Sequence, residues 1–370
     1  MFIAYFIMCS ITLTFWTIAD QNSVTGDEPH YLVISHGIIK YGSLEQTRPY
    51  LDEFKSRKIF KRGLAPKNAY PNPQNTHALK TKNGLYSFHN IGLPLLLAIP
   101  YGIGGKLGAK FFLVLLGLFI IYLCWIISKE FTEKWNFRLL SIVTLVFAMP
   151  FIPAQSQIYP DLVSGILSLG VIIWIFYKFN HNYQHNLLDP LIILLIAFLP
   201  WLHIKYLSTA CVLLCALVIV YYKTNNFNIK IIIFLLVPFL SLFLLGYYNY
   251  YAFGHIWGPY KGDGIIFNKH AFMVLMGLHF DQFQGLYLQN PAFLLGLLFV
   301  VPFLKRHTFI GVLVLTIYGS LVVPNALHPN WYGGGSFGGR FIWSGATVFL
   351  PIGVFGIIKI LEEFKKLSYY

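Results

Sequence analysis

Apolar residues run through this chain in long unbroken stretches separated by short polar links. Stretches long enough to cross about 30 Å of hydrocarbon, or nearly so with their flanks, lie at about 2–19, 111–128, 139–154, 162–177, 188–203, 206–222, 231–253, 285–304, 308–327 and 341–360. They predict an all-α polytopic bundle of about ten spans, forming a single transmembrane domain over residues 1–370 with no separate soluble domain. The first stretch lacks a basic start and a small-x-small cleavage motif, so it is expected to stay in place as a helix.

The first polar segment, about 20–88, has a pattern of its own. From Glu28 to Lys40, the residues Leu32, Val33, Ile34, Ile38 and Ile39 recur at helical spacing, which predicts an amphipathic helix on the membrane surface. Pro29 suits the first turn of that helix and leaves Asp27 and Glu28 at its N-terminal end. The stretch from Arg48 to Lys82 is polar and basic, with Pro66, Pro71 and Pro73. It reads as a solvated, partly mobile loop or as a basic lid over an anionic headgroup.

The next apolar stretch carries Gly92, Pro94, Pro100, Gly102, Gly104 and Gly105, and these breakers suit an interfacial or re-entrant helix over about 89–105. If it does not cross, the first loop is external and Lys129, Lys134, Arg138, Lys178, Lys223, Lys230, Lys305, Arg306, Lys365 and Lys366 are cytoplasmic, as the positive-inside rule prefers. If it crosses, the first loop is cytoplasmic. The basic residues of that loop favour the second arrangement, but loops beyond about 60 residues translocate largely without regard to charge. Charge therefore leaves both open.

Composition fixes the class. Hydrophobic residues make up 56% of the chain and charged ones only 11%, with a mean hydropathy of +0.62, against about 25% charged in a soluble domain. The net charge of +13 is spread over the links between spans, which points to lipid and topology and gives no reason to expect a nucleic-acid partner. Cys9, Cys124, Cys211 and Cys215 all sit in apolar stretches, without the setting of a disulfide framework or a zinc site.

Polar residues at the ends of spans carry the candidate chemistry. Asp27 and Glu28 are paired carboxylates at a membrane boundary, suited to base or metal-holding work; Asp27 is equally suited to capping the helix that follows. Asp161, after Pro160, opens a span as a functional acid or as a cap. His203 and Lys205 lie in a short turn where a lysine is unexpected, either to bind phosphate or to snorkel. The segment 327–341 joins Trp331, five glycines and Arg340, a cation able to hold a phosphate bidentately beside backbone that can approach a ligand closely. His255, Asp281 and Gln282, among aromatics, suit sugar hydroxyls or simply the water interface.

Taken in order, Asp27-Glu28, the segment around His89, Pro160-Asp161, His203-Ile204-Lys205 and the Trp331–Arg340 loop resemble the C superfamily of membrane glycosyltransferases. The likeness is to the dolichyl- or polyprenyl-phosphate-sugar-dependent mannosyltransferases and the aminoarabinose transferases. The resemblance implies an external first loop and a site facing the periplasm or exterior at the cell (inner) membrane. It implies a polyprenyl-phosphate-linked sugar donor and a lipid, glycan or protein acceptor. Asp27 would serve as catalytic carboxylate with Glu28 or Asp161 in reserve, Lys205 and Arg340 would face the leaving phosphate, and His89 would touch the lipid phosphate. Transfer would invert the anomeric carbon. Some relatives hold a divalent cation, Mg or Mn, at the acidic pair, for which Asp27, Glu28 and Asp161 are the ligands to expect. A flippase for a polyisoprenoid-linked sugar, or a non-catalytic component of an envelope polysaccharide complex, are the alternatives from other classes.

Overall fold

In a computed structural model of the chain, the described residues are 1–19, 24–181, 188–225, 229–259, 267–328, 333 and 335–367. They form α1 (Phe2–Ala19), α2 (Glu28–Tyr41), α3 (Thr47–Ser56), a hairpin of β1 (Ala78–Thr81) and β2 (Gly84–Ser87), α4 (Gly92–Ser128), α5 (Trp135–Val146) and α6 (Phe151–Ala154). There follow α7 (Pro160–His181), α8 (Asp189–Leu202), α9 (Leu207–Lys223), α10 (Ile229–Leu235), α11 (Val237–Phe253), α12 (Lys269–Phe280), α13 (Leu286–Gln289), α14 (Ala292–Leu298), α15 (Val300–Arg306), α16 (Thr308–Ala326) and α17 (Trp343–Leu367). The protein is an all-α polytopic membrane protein. Among the described residues, six helices are long and apolar enough to cross a bilayer, and α1, α5 and α8 are shorter apolar helices.

α17 is the hub. Its membrane-crossing stretch is buried along its whole length, and it packs against α7, α14, α16 and α5. A helix apolar on every side belongs inside a bundle, and this one brings the preceding residue Arg340 into the interior.

The stretch 285–304, expected to be one span, is instead three short helices, α13 to α15. Asn290 interrupts it by donating from Nδ2 to the carbonyls of Leu145 (3.1 Å) and Met149 (3.0 Å), and Pro291 follows.

The stretch 91–105 forms a short helix of its own at the start of α4, set off from the span that follows by a break where its glycines fall. Gly104 and Gly105 leave helical geometry, Gly105 at φ +58°, a conformation that costs little only without a Cβ. The first half, about 18 Å long at 1.5 Å per residue, is too short to cross; the second, about 34 Å, is long enough.

The first half of α4 packs against α2, and Ser35 Oγ donates to the Pro94 carbonyl at 3.1 Å. α2 begins and ends as its sequence suggests, with Pro29 in the first turn, Lys40 in the last and a left-handed Gly42 at its C-terminus. It is more enclosed than a helix resting on lipid, because residues 28–35 are all buried.

In the basic stretch 48–82, α3 and β1 take the two ends and residues 57–77 between them form a loop, pinned at its start by the Glu53 carboxylate, which accepts from the Ile59 N–H (3.0 Å) and the Phe60 N–H (2.8 Å).

Candidate active site

The turn Thr25–Glu28 carries two acids with different surroundings. Glu28 is fully buried. Its Oε1 accepts from Lys110 Nζ at 2.8 Å and the Ile158 N–H at 2.7 Å, and its Oε2 accepts from the Thr25 N–H at 2.7 Å. Lys110 Nζ donates as well to the Ser156 carbonyl at 2.6 Å. Glu28 therefore ties the turn to α4 and to the segment before α7. A carboxylate sealed against a lysine and two amides has no open side for an acceptor or an ion, which corrects the expectation of a reserve base and metal ligand.

Asp27 faces the other way. It precedes α2 but makes no capping hydrogen bond. Its Oδ2 lies 3.3 Å from Arg340 Nη1 and its Oδ1 3.6 Å from His77 Nδ1. Its side chain is 29% exposed, so it combines charged neighbours with access.

Arg340 extends from that carboxylate toward a second. Its Nε is 3.8 Å from Asp161 Oδ2 and has no hydrogen-bond partner among the described residues, and its guanidinium lies over the Tyr159 ring at 4.3 Å. Asp161, in the first turn of α7, is 2% exposed. Its Oδ1 accepts from Lys205 Nζ at 2.7 Å and Tyr206 Oη at 2.9 Å. Lys205 Nζ donates also to Asn325 Oδ1 at 2.9 Å. Lys205 is thus held on Asp161 and Asn325. Four residues singled out along the sequence, Asp27, Asp161, Lys205 and Arg340, form one alternating chain of charge.

Backbone contacts close this cluster. A Cβ on Gly26 (φ +53°) would meet Tyr159 Oη at 2.6 Å and the Gly335 Cα at 3.1 Å, so the turn and the glycine-rich segment touch main chain to main chain. That segment is held by the Phe337 N–H donating to Gln157 Oε1 at 2.9 Å and the Gly339 N–H donating to Gln284 Oε1 at 2.6 Å.

Three histidines stand on the open side of Asp27. The His77 and His30 rings stack at 3.7 Å, and His77 Nδ1 is 3.2 Å from His89 Nε2. Burial, against the pull of Asp27 and helped by His77 and Arg340, lowers the pKa of His89 to about 4. A neutral His89 meets a phosphate by hydrogen bonding and not as a fixed cation. His203 is likewise kept neutral by burial and then by Lys205; its Nδ1 accepts from the Lys205 N–H at 3.1 Å.

Other expected residues stand apart. Asp281 Oδ1 accepts from the Phe283 N–H and the Gln284 N–H, both at 2.8 Å, and so shapes the turn that presents Gln284. Among the described residues, no hydrogen bond or ion pair joins His255 or Gln282 to the charged cluster. Trp331 lies outside the described residues. The sequence reading passed over Lys110, His77, Tyr159, Tyr206 and Asn325. Among these, Lys110 left a signal, as one of two lysines, with Lys106, that lead into a long apolar stretch.

No family model and no curated protein matches the sequence. In three dimensions the chain is similar to ArnT from Cupriavidus metallidurans in the apo state, with a TM-score of 0.61 at 10% identity, covering 97% of this chain and 60% of that one. ArnT bound to undecaprenyl phosphate gives 0.60 at 10% identity, over 94% and 59%. The apo oligosaccharyltransferase of Archaeoglobus fulgidus gives 0.49 at 12% identity, over 99% and 52%. The fold is that of ArnT. This chain spans 60% of the length of ArnT, and within that fold its charged cluster lies where the turn before α2, the start of α7, the α8–α9 turn and the start of α17 meet.

Proposed function

We propose that this chain is a membrane transferase that moves a sugar from a polyprenyl-phosphate-linked donor to an acceptor hydroxyl on the outer face of the cell membrane. The single observation that carries the reading is the Asp27–Arg340–Asp161–Lys205 arrangement: an accessible carboxylate on Arg340, with Arg340 and Lys205 both held by a buried second carboxylate. The fold supports it, and a solved structure of ArnT, which shares that fold, holds undecaprenyl phosphate.

The chemistry assigned to these residues is a direct displacement. Asp27 takes the acceptor's proton as its oxygen bonds to the anomeric carbon, the bond from that carbon to the phosphate oxygen breaks, and the lipid phosphate leaves with the electron pair. Arg340, with an Nε donor unpaired among the described residues, and Lys205 stabilise the charge that gathers on the phosphate. One displacement inverts the anomeric centre. Asp161 keeps the two cations charged and positioned.

The test is sugar transfer by purified protein from a polyprenyl-phosphate-linked sugar. Asp27→Asn is expected to lower the rate by on the order of 100- to 10,000-fold, the usual contribution of a general base, and Arg340→Ala to do likewise, with both variants folded in the membrane. Near-normal transfer by Asp27→Asn would remove that residue as the base. A flippase would move its lipid normally with the same substitution.

A further inference from the structure

The acids expected to hold a hard divalent cation do not come together as a site. The Glu28 carboxylate is taken by Lys110 and two backbone N–H groups, and that of Asp161 by Lys205 and Tyr206. A magnesium-type ion needs several open oxygen ligands in octahedral array, and Arg340 stands between the two oxygens that remain, Asp27 Oδ2 and Asp161 Oδ2. The donors that do converge are of another kind.

We infer that His77, His89 and Asp27 form a binding site for a zinc-class transition-metal ion. Their donor atoms, His77 Nδ1, His89 Nε2 and an Asp27 oxygen, all lie within 4.8 Å of one another. The two imidazole nitrogens are 3.2 Å apart, and His77 Nδ1 is 3.6 Å from Asp27 Oδ1. Neighbouring ligands around a tetrahedral zinc with bonds of about 2.0–2.1 Å sit about 3.3 Å apart, so the 3.2 Å edge has that length and the 3.6 Å edge is a little longer. Two imidazoles and one carboxylate are donors suited to zinc and cobalt(II) and unsuited to magnesium. With no ion bound, the same His77–His89 contact is an N–H···N hydrogen bond.

The rings are placed by structure on two sides. The hairpin sets the backbone: Ala78 pairs with Ser87, the His77 carbonyl accepts from the Phe88 N–H (3.0 Å) and Ser87 Oγ (3.2 Å), and the His89 N–H donates to that same Ser87 Oγ (3.1 Å). The first turn of α2 sets the rings: His30 stacks on His77, and the Tyr31 ring lies 4.6 Å from that of His89. His30 is fixed in turn, with its Nδ1 2.6 Å from Tyr50 Oη. Supporting contacts of this sort orient metal ligands and are worth about 10- to 100-fold in affinity. His77 is 45% exposed, which leaves the site a side open to solvent. Asp27 presents Oδ1 to the histidines and Oδ2 to Arg340, so an ion on one oxygen would fix the direction of the other. The inference is independent of the transferase reading, because it concerns binding alone.

Cobalt(II) titration of the full-length protein, purified in detergent and stripped with chelator, tests it. The expected result is one ion per chain with the visible ligand-field bands of a four-coordinate site, displaced by zinc and not by magnesium. His77→Ala and His89→Gln are expected to weaken binding by more than about 100-fold, beyond the effect of losing a supporting contact, while the exposed His270→Ala leaves it unchanged. If His77→Ala does not fold, Asp27→Asn and His89→Gln carry the test, and the rise in thermal midpoint that zinc gives the native chain is expected to vanish in both. Absence of cobalt binding by the native chain, displacement by magnesium, or equal binding by the ligand variants overturns the site. Failure of the transferase reading would show separately, as metal bound and no sugar moved.

Discussion

Arg340 places Nη1 3.3 Å from Asp27 Oδ2 across 313 positions of sequence. The contact joins the opening of the first loop to the start of the innermost helix, and Arg340 continues to Asp161 at 3.8 Å. A planar guanidinium reaches both acids from one stem, a geometry that the point charge of a lysine does not reproduce.

Lys110 and Glu28 form a buried pair whose side chains are 1% and 0% exposed. Lys110→Met strands a buried carboxylate, and removing one partner of such a pair costs about 3–5 kcal/mol. Thermal unfolding in detergent is expected to show that loss, with Glu28→Gln recovering part of it in the double variant. An additive double variant would remove the pairing.

Gly26→Ala puts a Cβ against Tyr159 Oη at 2.6 Å in a left-handed backbone. The conformation alone costs about 1–2 kcal/mol, and the clash pushes the turn from the glycine-rich segment. A lower thermal midpoint and slower transfer are expected together. Gly335→Ala, whose Cβ would meet the Gly26 Cα at 2.9 Å, should slow transfer in the same way. Unchanged rates in both would show that the main-chain contact does not position Asp27.

His30 gives the first loop a pH dependence. Burial, then the neighbouring His77 and His89, holds its pKa well below 6.5 when folded. Above pH 6.5 neither folded nor unfolded chain protonates it, and its contribution to stability is fully present. As pH falls below 6.5 the unfolded chain takes up the proton and the folded one does not, so stability declines. Thermal midpoints measured in chelator are expected to fall over that range, and to fall less in His30→Phe. Parallel curves would exclude His30 as the cause.

Ser56 ends α3 and is exposed, so a cysteine there reports the face on which the first loop lies. Cys211 and Cys215 are exposed and Cys9 and Cys124 buried, and all four are replaced first. Labelling by a membrane-impermeant reagent in intact cells is expected, because the outer-face reading requires it. Protection lost only on lysis would put the whole charged cluster in the cytoplasm, since Asp27, Asp161, Lys205 and Arg340 share one site.

The sequence by itself determined the membrane class, most of the helices and the four residues Asp27, Asp161, Lys205 and Arg340. Hydrophobic length and the rarity of charge at span ends are local properties, and both are written in order along the chain. It also set α2, through Pro29, a helical apolar pattern and Gly42. Tertiary structure alone decided how the neighbouring acids divide. Asp27 and Glu28 are adjacent in sequence, yet one faces Arg340 and the other Lys110, because the partners come from helices distant in the chain. The same holds for His77 and His89, which look unrelated until the hairpin pairs their strands, and for Asn290, which breaks an apolar stretch by bonding to carbonyls near residue 147. Burial and long-range pairing depend on which surfaces meet, and no residue's own neighbours in sequence encode that.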